Sequence, residues 1–336
     1  MARGRNILVL NDDCLYHIYE FLPIIDWCSL RDTCTRFRTI SDDQFNRRSK
    51  TFKLSQISDR DRLKLSEVKR VLRTFGKSMK TLSINQNHFA KLMDWNGLAP
   101  FLERYCESLV DLELVSFRLT AKTVVQCRRL FSNLQRLVID KWDNRYRFNV
   151  ETFSTCLVEC TSLTELVFIG LDDITEDSFA CSHMKYLKSF ELRGCYGLSD
   201  KAFKSFLTKN CQLTQVKLFD VRFRNQHDNQ SGIEDVANTL PKIEALSLNF
   251  EMGFVQNVMP VTGMTSLKKL EVNLEHVTYN IMLELLRGLA EHSNIEDLHL
   301  AHFKCSKEMI GLLSSIKRLK ILKFTNTNHL HGNVCN

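Results

Sequence analysis

Glycine and proline are scarce, 12 and 4 in 336 residues. That is too few for a collagenous repeat or a disordered Pro/Gly-rich chain. No run of eighteen apolar residues occurs, so a membrane-spanning helix is not expected. The first ten residues lack the long apolar core of a secretory signal. Gly4 is not the second residue and Cys335 is second from the end, so neither myristoylation nor prenylation is expected. The twelve cysteines contain no CxxC pair. Reduced thiols in cytoplasm or nucleus are the expectation. The dinucleotide, P-loop, HExxH and GxSxG signatures are all missing, so no catalytic residue and no cofactor is expected. The charge is +7, from 46 basic and 39 acidic residues. Residues 1–48 are balanced, so the excess lies beyond them. It is too mild to imply nucleic acid, and the basic run Lys317, Arg318, Lys320, Lys323 lacks interleaved aromatics.

What the chain does have is a repeat. An apolar-x-x-apolar-x-apolar pattern begins at Met79, Leu109, Leu134, Leu163, Leu187, Leu213, Ile243, Leu267, Ile295 and Leu319. Successive starts lie 24 to 30 residues apart, and a degenerate copy, SKTFKL, begins at Ser49. The pattern is that of a short parallel strand whose apolar residues alternate inward while the intervening ones face a concave surface. Between strands lie helical stripes. Ser199 caps Phe203, Phe206 and Leu207; Thr278 caps Ile281, Met282, Leu285, Leu286 and Leu289; Ser306 caps Met309, Ile310, Leu313 and Ile316. One such unit cannot bury its apolar face alone, so the units must stack into a solenoid.

The segment LKSFELRGCYGLSDKAF, Leu187 to Phe203, is close to LxxLxLxxCxxLTDxxL, and the chain resembles the cysteine-containing leucine-rich-repeat family over residues 49 to 330. The implied fold is an α/β solenoid of about ten repeats, strands on the concave face and helices on the convex one. Cys195 fills the family's cysteine position, and Cys106 and Cys160 fill a second apolar position three residues before their repeats. These thiols are expected to pack in the core.

Ahead of the repeats, ILVLNDDCLYHIYEFLPIIDWCSLRDTCTRFRTI runs from Ile7 to Ile40 with a different rhythm. Asn11 suits a helix N-cap with Asp12 and Asp13 behind it, Pro23 ends that helix, and Asp26 suits the cap of a second. Leu10, Asp13, Leu15, Ile18, Leu22, Asp26, Leu30, Cys34 and Phe37 match the spacing of the F-box family, which this segment resembles. Asn11 stands where that family has proline and Phe37 where it has tryptophan. The resemblance implies residues 1–48 as a helical F-box-like domain and residues 49–336 as the repeat domain. It implies docking on a Skp adaptor and a cullin scaffold through Leu10, Leu15, Ile18, Leu22, Leu30, Cys34 and Phe37. The chain would then be a non-catalytic substrate receptor of an SCF-type ubiquitin ligase. The alternative is a repeat scaffold without a ligase. A third element capping the solenoid's open end is a plainer role for residues 1–48.

An unknown protein substrate is expected on the concave face. There the pattern exposes Val115, Val138, Val167, Ile169 and Phe219 beside Glu191, Arg193 and Lys217, an apolar cluster ringed by charge. The polar stretch Arg222 to Gly232 is expected to project as a loop. His299-x-x-His302-x-x-Cys305 has metal-like spacing without a fourth ligand, and His329-x-His331 with Cys335 is thinner still, so no metal site is expected.

Overall fold

The computed structural model describes residues 7–48, 52–57, 63–89, 95–116, 119–140, 150–171, 174–179, 183–224, 231–249, 258–273, 275, 277–303 and 306–325. The chain divides into two compact units, residues 1–143 and 144–336.

The first unit begins with three helices: α1 (Asp12–Glu20), α2 (Ile24–Arg31) and α3 (Thr35–Arg48). Asn11 caps α1, its side chain accepting from the Cys14 N–H at 2.9 Å. The second helix starts before Asp26, with Pro23 as its N-cap residue. Proline cannot donate to a preceding turn, so it separates α1 from α2 rather than closing α1. The core between the helices is polar-stitched. Buried Trp27 donates from its indole N–H to the carbonyls of Tyr19 and Leu22, both at 3.1 Å. The Ser41 hydroxyl lies 2.9 Å from the Tyr19 hydroxyl and donates to the Phe37 carbonyl at 2.7 Å.

Strands β1 (Phe52–Lys53), β2 (Thr81–Asn85), β3 (Asp111–Val115) and β4 (Arg136–Asp140) follow, parallel and in chain order. Parallel neighbours need crossovers. These contain α4 (Leu65–Phe75), α5 (Trp95–Tyr105), and the short pair α6 (Ala121–Gln126) and α7 (Arg128–Asn133). The three-helix unit is joined to the first repeat. The Ile25 N–H donates to the Ile57 carbonyl at 3.0 Å, Arg70 on α4 pairs with Asp32 at 3.0 Å, and the Phe45 ring stacks on Phe75 at 4.5 Å.

The second unit opens with α8 (Val150–Glu159), β5 (Glu165–Ile169) and β6 (Ser189–Arg193). Next come β7 (Tyr196–Ser199), α9 (Asp200–Lys209), β8 (Gln215–Phe219), β9 (Arg222–Arg224), α10 (Ser231–Thr239) and β10 (Ala245–Asn249). It ends with β11 (Lys269–Asn273), α11 (Tyr279–His292), β12 (Asp297–Ala301), α12 (Lys307–Ser315) and β13 (Ile321–Thr325). Its sheet runs β5-β6-β8-β10-β11-β12-β13, all parallel, while β7 pairs with β9 beside it. The expected loop from Arg222 thus begins as a strand; residues 225–230 lie outside the described residues. Ser199 and Ser306 cap their helices through the side chain, whereas Thr278 occupies the N-cap position without such a bond.

Every copy of the sequence pattern, the degenerate one included, is a strand, and this is the leucine-rich-repeat architecture in both units. Equivalent motif positions pair: Leu82 with Leu112 and Leu137, and Leu166 with Phe190, Val216, Leu246, Leu270, Leu298 and Leu322. All but Leu322 are buried. Phe153, Phe168, Phe179, Phe190 and Phe206 pack in tilted and edge-to-face pairs, with ring centroids 4.4 to 5.9 Å apart, in the core of the second unit. After the strand, the chain repeatedly turns left-handed. Ser116, Gly170, Gly194, Asp220 and His302 have φ of 53 to 63°. Each donates its N–H to the last carbonyl of the next motif strand, at 2.8 to 2.9 Å. Glycine and aspartate accept that conformation readily; serine and histidine hold it at a cost that the hydrogen bond offsets.

Cys106, Cys127, Cys156, Cys160 and Cys195 are buried free thiols, as packing positions require. Desolvation pushes the thiols of Cys106 and Cys127 up to about 12. Cys160 is raised by its hydrogen bond with Cys156 and by burial. Folded protein at pH 8 should therefore lose Cys14 and Cys211 to iodoacetamide while Cys106, Cys127 and Cys160 stay protected, as read by peptide mass mapping. Because the folded thiols hold their protons more tightly than unfolded ones, this stabilisation is complete below pH 9. It falls as pH rises towards about 12. Labelling of Cys106 at the rate of Cys14 would contradict this packing.

Candidate docking face and strand-face site

The three-helix unit leaves several apolar side chains open to water. Val9 is 83% exposed, Phe21 74% and Leu10 39%, with Ile7 and Leu8 also exposed. Ile18, Leu22, Leu30 and Cys34 are half-buried. Residues Ile7–Val9 form a short 3-10 turn, and Arg36 on α3 fastens it. Its guanidinium donates to the Leu8 carbonyl at 2.7 Å, to the Leu10 carbonyl at 2.6 Å and to Asp12 at 2.8 Å. An arginine so committed fixes the backbone that carries these apolar side chains.

On the strand face of the second unit, an ion cluster occupies the middle rows. Glu191 on β6 is buried; it accepts from the Arg193 Nη2 at 2.7 Å and from the Lys217 Nζ at 3.3 Å. The Arg193 guanidinium sits 5.1 Å from the centroid of Phe219, which is half-buried. Two cations share one carboxylate, leaving the cluster one positive charge and most of its N–H donors open. Further along, His299 approaches Glu271 at 3.2 Å and lies 3.0 Å from the Thr325 hydroxyl. The Asn273 amide donates to the Asn249 amide oxygen at 2.7 Å.

Residues 7–49 match the family model of the F-box domain. This segment is an F-box domain. No curated protein matches the chain. Among solved structures it is similar to the leucine-rich repeat-containing protein LegL7 from Legionella pneumophila, at 11% identity and TM-score 0.49, over 76% of this chain and 86% of that one. It is also similar to the Rad7 and Elc1 complex in yeast, at 14% and 0.36, over 87% of this chain and 86% of that one. The mouse RP105/MD-1 complex matches at 15% and 0.37, over 76% and 47%.

Within the F-box domain, the residues expected to dock do not all lie at its surface. Leu15 and Phe37 are buried in the helical core. Phe37 lies 6.4 Å from Tyr19 in that core. The residues that sequence reasoning missed are Val9 and Phe21, which lie off the family spacing, and Arg36, whose partners lie 24 to 28 positions away. On the strand face the expected row of exposed valines is corrected. Val138 is 2% exposed and Val167 4%, while Val115 and Ile169 are half-buried. Neighbouring parallel strands stand about 4.8 Å apart, so a short branched side chain is roofed by longer ones beside it. Val138 has Glu113 across the register and Arg136 and Asp140 at i±2; Val167 has Glu191 across and Glu165 and Ile169 at i±2. The histidine spacing brings no metal set together. His302 approaches Glu275 at 3.8 Å instead, and no cluster of three metal-capable residues exists among the described residues. Cys305, His329, His331 and Cys335 lie outside those residues.

Buried Glu191 is the organiser of its cluster, and this is testable by urea denaturation. Glu191→Ala leaves two adjacent cations without their acceptor and should cost about 1–3 kcal/mol. Arg193→Ala and Lys217→Ala remove exposed or half-exposed partners and should each cost less, about 1 kcal/mol or below. Equal costs for all three would show that the carboxylate does not anchor the group.

Proposed function

We propose that the chain is the substrate-recognition subunit of an SCF-type ubiquitin ligase. The F-box domain docks on a Skp adaptor carried by a cullin, and the repeats hold a protein target for ubiquitination and degradation in cytoplasm or nucleus. The chain supplies binding and no chemistry of its own. One observation carries this reading: the segment matching the F-box domain leaves apolar side chains open to water at Ile7 to Leu10 and at Phe21. A folded monomer avoids such a surface unless a partner covers it. Leu10, Ile18, Leu22, Leu30 and Cys34 share in that surface, and Leu15 and Phe37 lie in the helical core.

The target-binding half of the reading rests on the strand face, where the exposed side chains are free to vary without touching the core. Ile169, Arg193, Lys217 and Phe219 in the second unit, and Val115 in the first, are among the residues there with surface to offer. Glu191, Val138 and Val167 lie beneath them and set their positions. Among the described residues no helix is long and apolar enough to cross a membrane.

The docking half is checked with purified Skp adaptor. Wild-type protein should bind it at micromolar concentration or below. Val9→Asp and Leu10→Asp should each weaken binding about tenfold or more, since truncating or charging an interface anchor typically costs about 2 kcal/mol or more. Melting temperature should not change, because Val9 is 83% exposed. A wild type that ignores the adaptor would leave the repeat scaffold without a ligase, for which Asn11 in place of the F-box proline is the favouring observation.

A further inference from the structure

The strand face of the first unit carries a cavity of about 260 Å³ lined by Lys53, Leu54, Ser83, Asn85, His88, Glu113, Val115 and Asp140. Its origin is visible in the register. Lys53, Ser83 and Glu113 stand opposite one another on β1, β2 and β3, and Asn85, Val115 and Asp140 do so one step further along on β2, β3 and β4. Serine is the smallest residue in its row, so β2 forms a trough between the longer side chains of its neighbours. The volume is small for a cofactor, since sites for small molecules start at about 300 Å³. It suits a single side chain.

The lining is graded in charge. Glu113 and Asp140 stand on adjacent strands at one end, both half-buried, with Val115 between them. Glu113 has no hydrogen bond or ion pair among the described residues. Lys53 lies two strands away from Glu113, about 9.6 Å at the backbone. The Asn85 side-chain oxygen is already committed to the Asn87 N–H at 2.9 Å, which leaves its amide N–H₂ as the group to offer.

We propose that this cavity is a subsite for the cationic side chain of a protein partner, arginine or lysine. The charged head sits against Glu113, and the aliphatic stem lies along Val115. The Glu113 carboxylate supplies charge-assisted hydrogen bonds in a partly desolvated place, where they are stronger than at an open surface. Lys53, Asn85 and Ser83 provide donors for the main-chain carbonyl of the same bound residue. They also give the subsite a direction, since a reversed ligand would bring like charges together. This inference rests on the reading of the strand face as the target-binding surface, and it is independent of adaptor docking.

The test titrates the full chain at low salt with four probes, Nα-acetyl amides of arginine, lysine, citrulline and glutamate, followed by NMR. The cationic probes should bind saturably, and whichever binds more tightly identifies the preferred residue. The neutral and acidic probes should not bind. Glu113→Gln, which keeps the shape and removes the charge, should weaken the cationic probes about tenfold. Ser83→Leu should abolish binding by filling the trough. Equal binding of arginine and citrulline probes, tighter binding of the glutamate probe, or an unaltered affinity in Glu113→Gln would each overturn the proposal. Melting curves separate loss of the site from loss of the fold, and adaptor binding measured on the same samples separates failure of this subsite from failure of the ligase reading.

Discussion

The constraint on which the rest depends is the parallel backbone pairing that sets equivalent motif positions side by side without slippage. Leu82, Leu112 and Leu137 line up in one unit, and Leu166 through Leu298 line up in the other. A one-residue slip would turn each strand's buried leucine outward and its surface residue into the core. The same pairing places Lys217 beside Glu191 and Ser83 between Lys53 and Glu113. The left-handed residues that end β3, β5, β6, β8 and β12 depend on it too, because each one's N–H finds its acceptor on the last residue of the following motif strand. Local charge and cavity shape are thus consequences of register rather than of any side chain's own preference.

A second level of organisation joins the F-box domain to the first repeat. The Phe45 ring lies between Phe52 at 5.6 Å and Phe75 at 4.5 Å, and Arg70 reaches back to Ser29 at 3.3 Å and Asp32 at 3.0 Å. A small three-helix unit has little core of its own, and burying one side of it against α4 supplies what it lacks. The open side chains at Ile7 to Leu10 are then free to serve a partner, because stability does not have to be drawn from covering them.

Much of this was legible in the residues. The strands, their spacing and the cysteine positions follow from an apolar pattern whose period is dictated by which side chains must meet. Asn11, Ser199 and Ser306 announce helix starts through side-chain chemistry that acts locally. The misreadings share another physical origin. Whether Val138, Val167 or Leu15 meets water depends on neighbours brought from other strands or helices, and a strand pattern says only which way a side chain points. Arg36 and the buried Asn210, whose amide accepts from the Met184 N–H at 2.9 Å, are held by partners 26 to 28 positions away, at distances no local pattern encodes. Asn210 occupies a slot where other repeats carry cysteine or phenylalanine, so periodicity alone points to an apolar residue there.

The unequal repeat lengths have a consequence of their own. Starts 24 to 30 residues apart nonetheless deliver strands of five residues in matching register. All the slack is therefore taken up in the returning segments, whose described elements range from the 14-residue α11 to the four-residue 3-10 turn Glu176–Phe179. Insertions and deletions there leave the strand face in place, while a point substitution at one of its exposed intervening positions, such as Arg193, alters that face without moving the strands. Length and recognition are written on opposite sides of the sheet, and a lineage can edit either without rewriting the other.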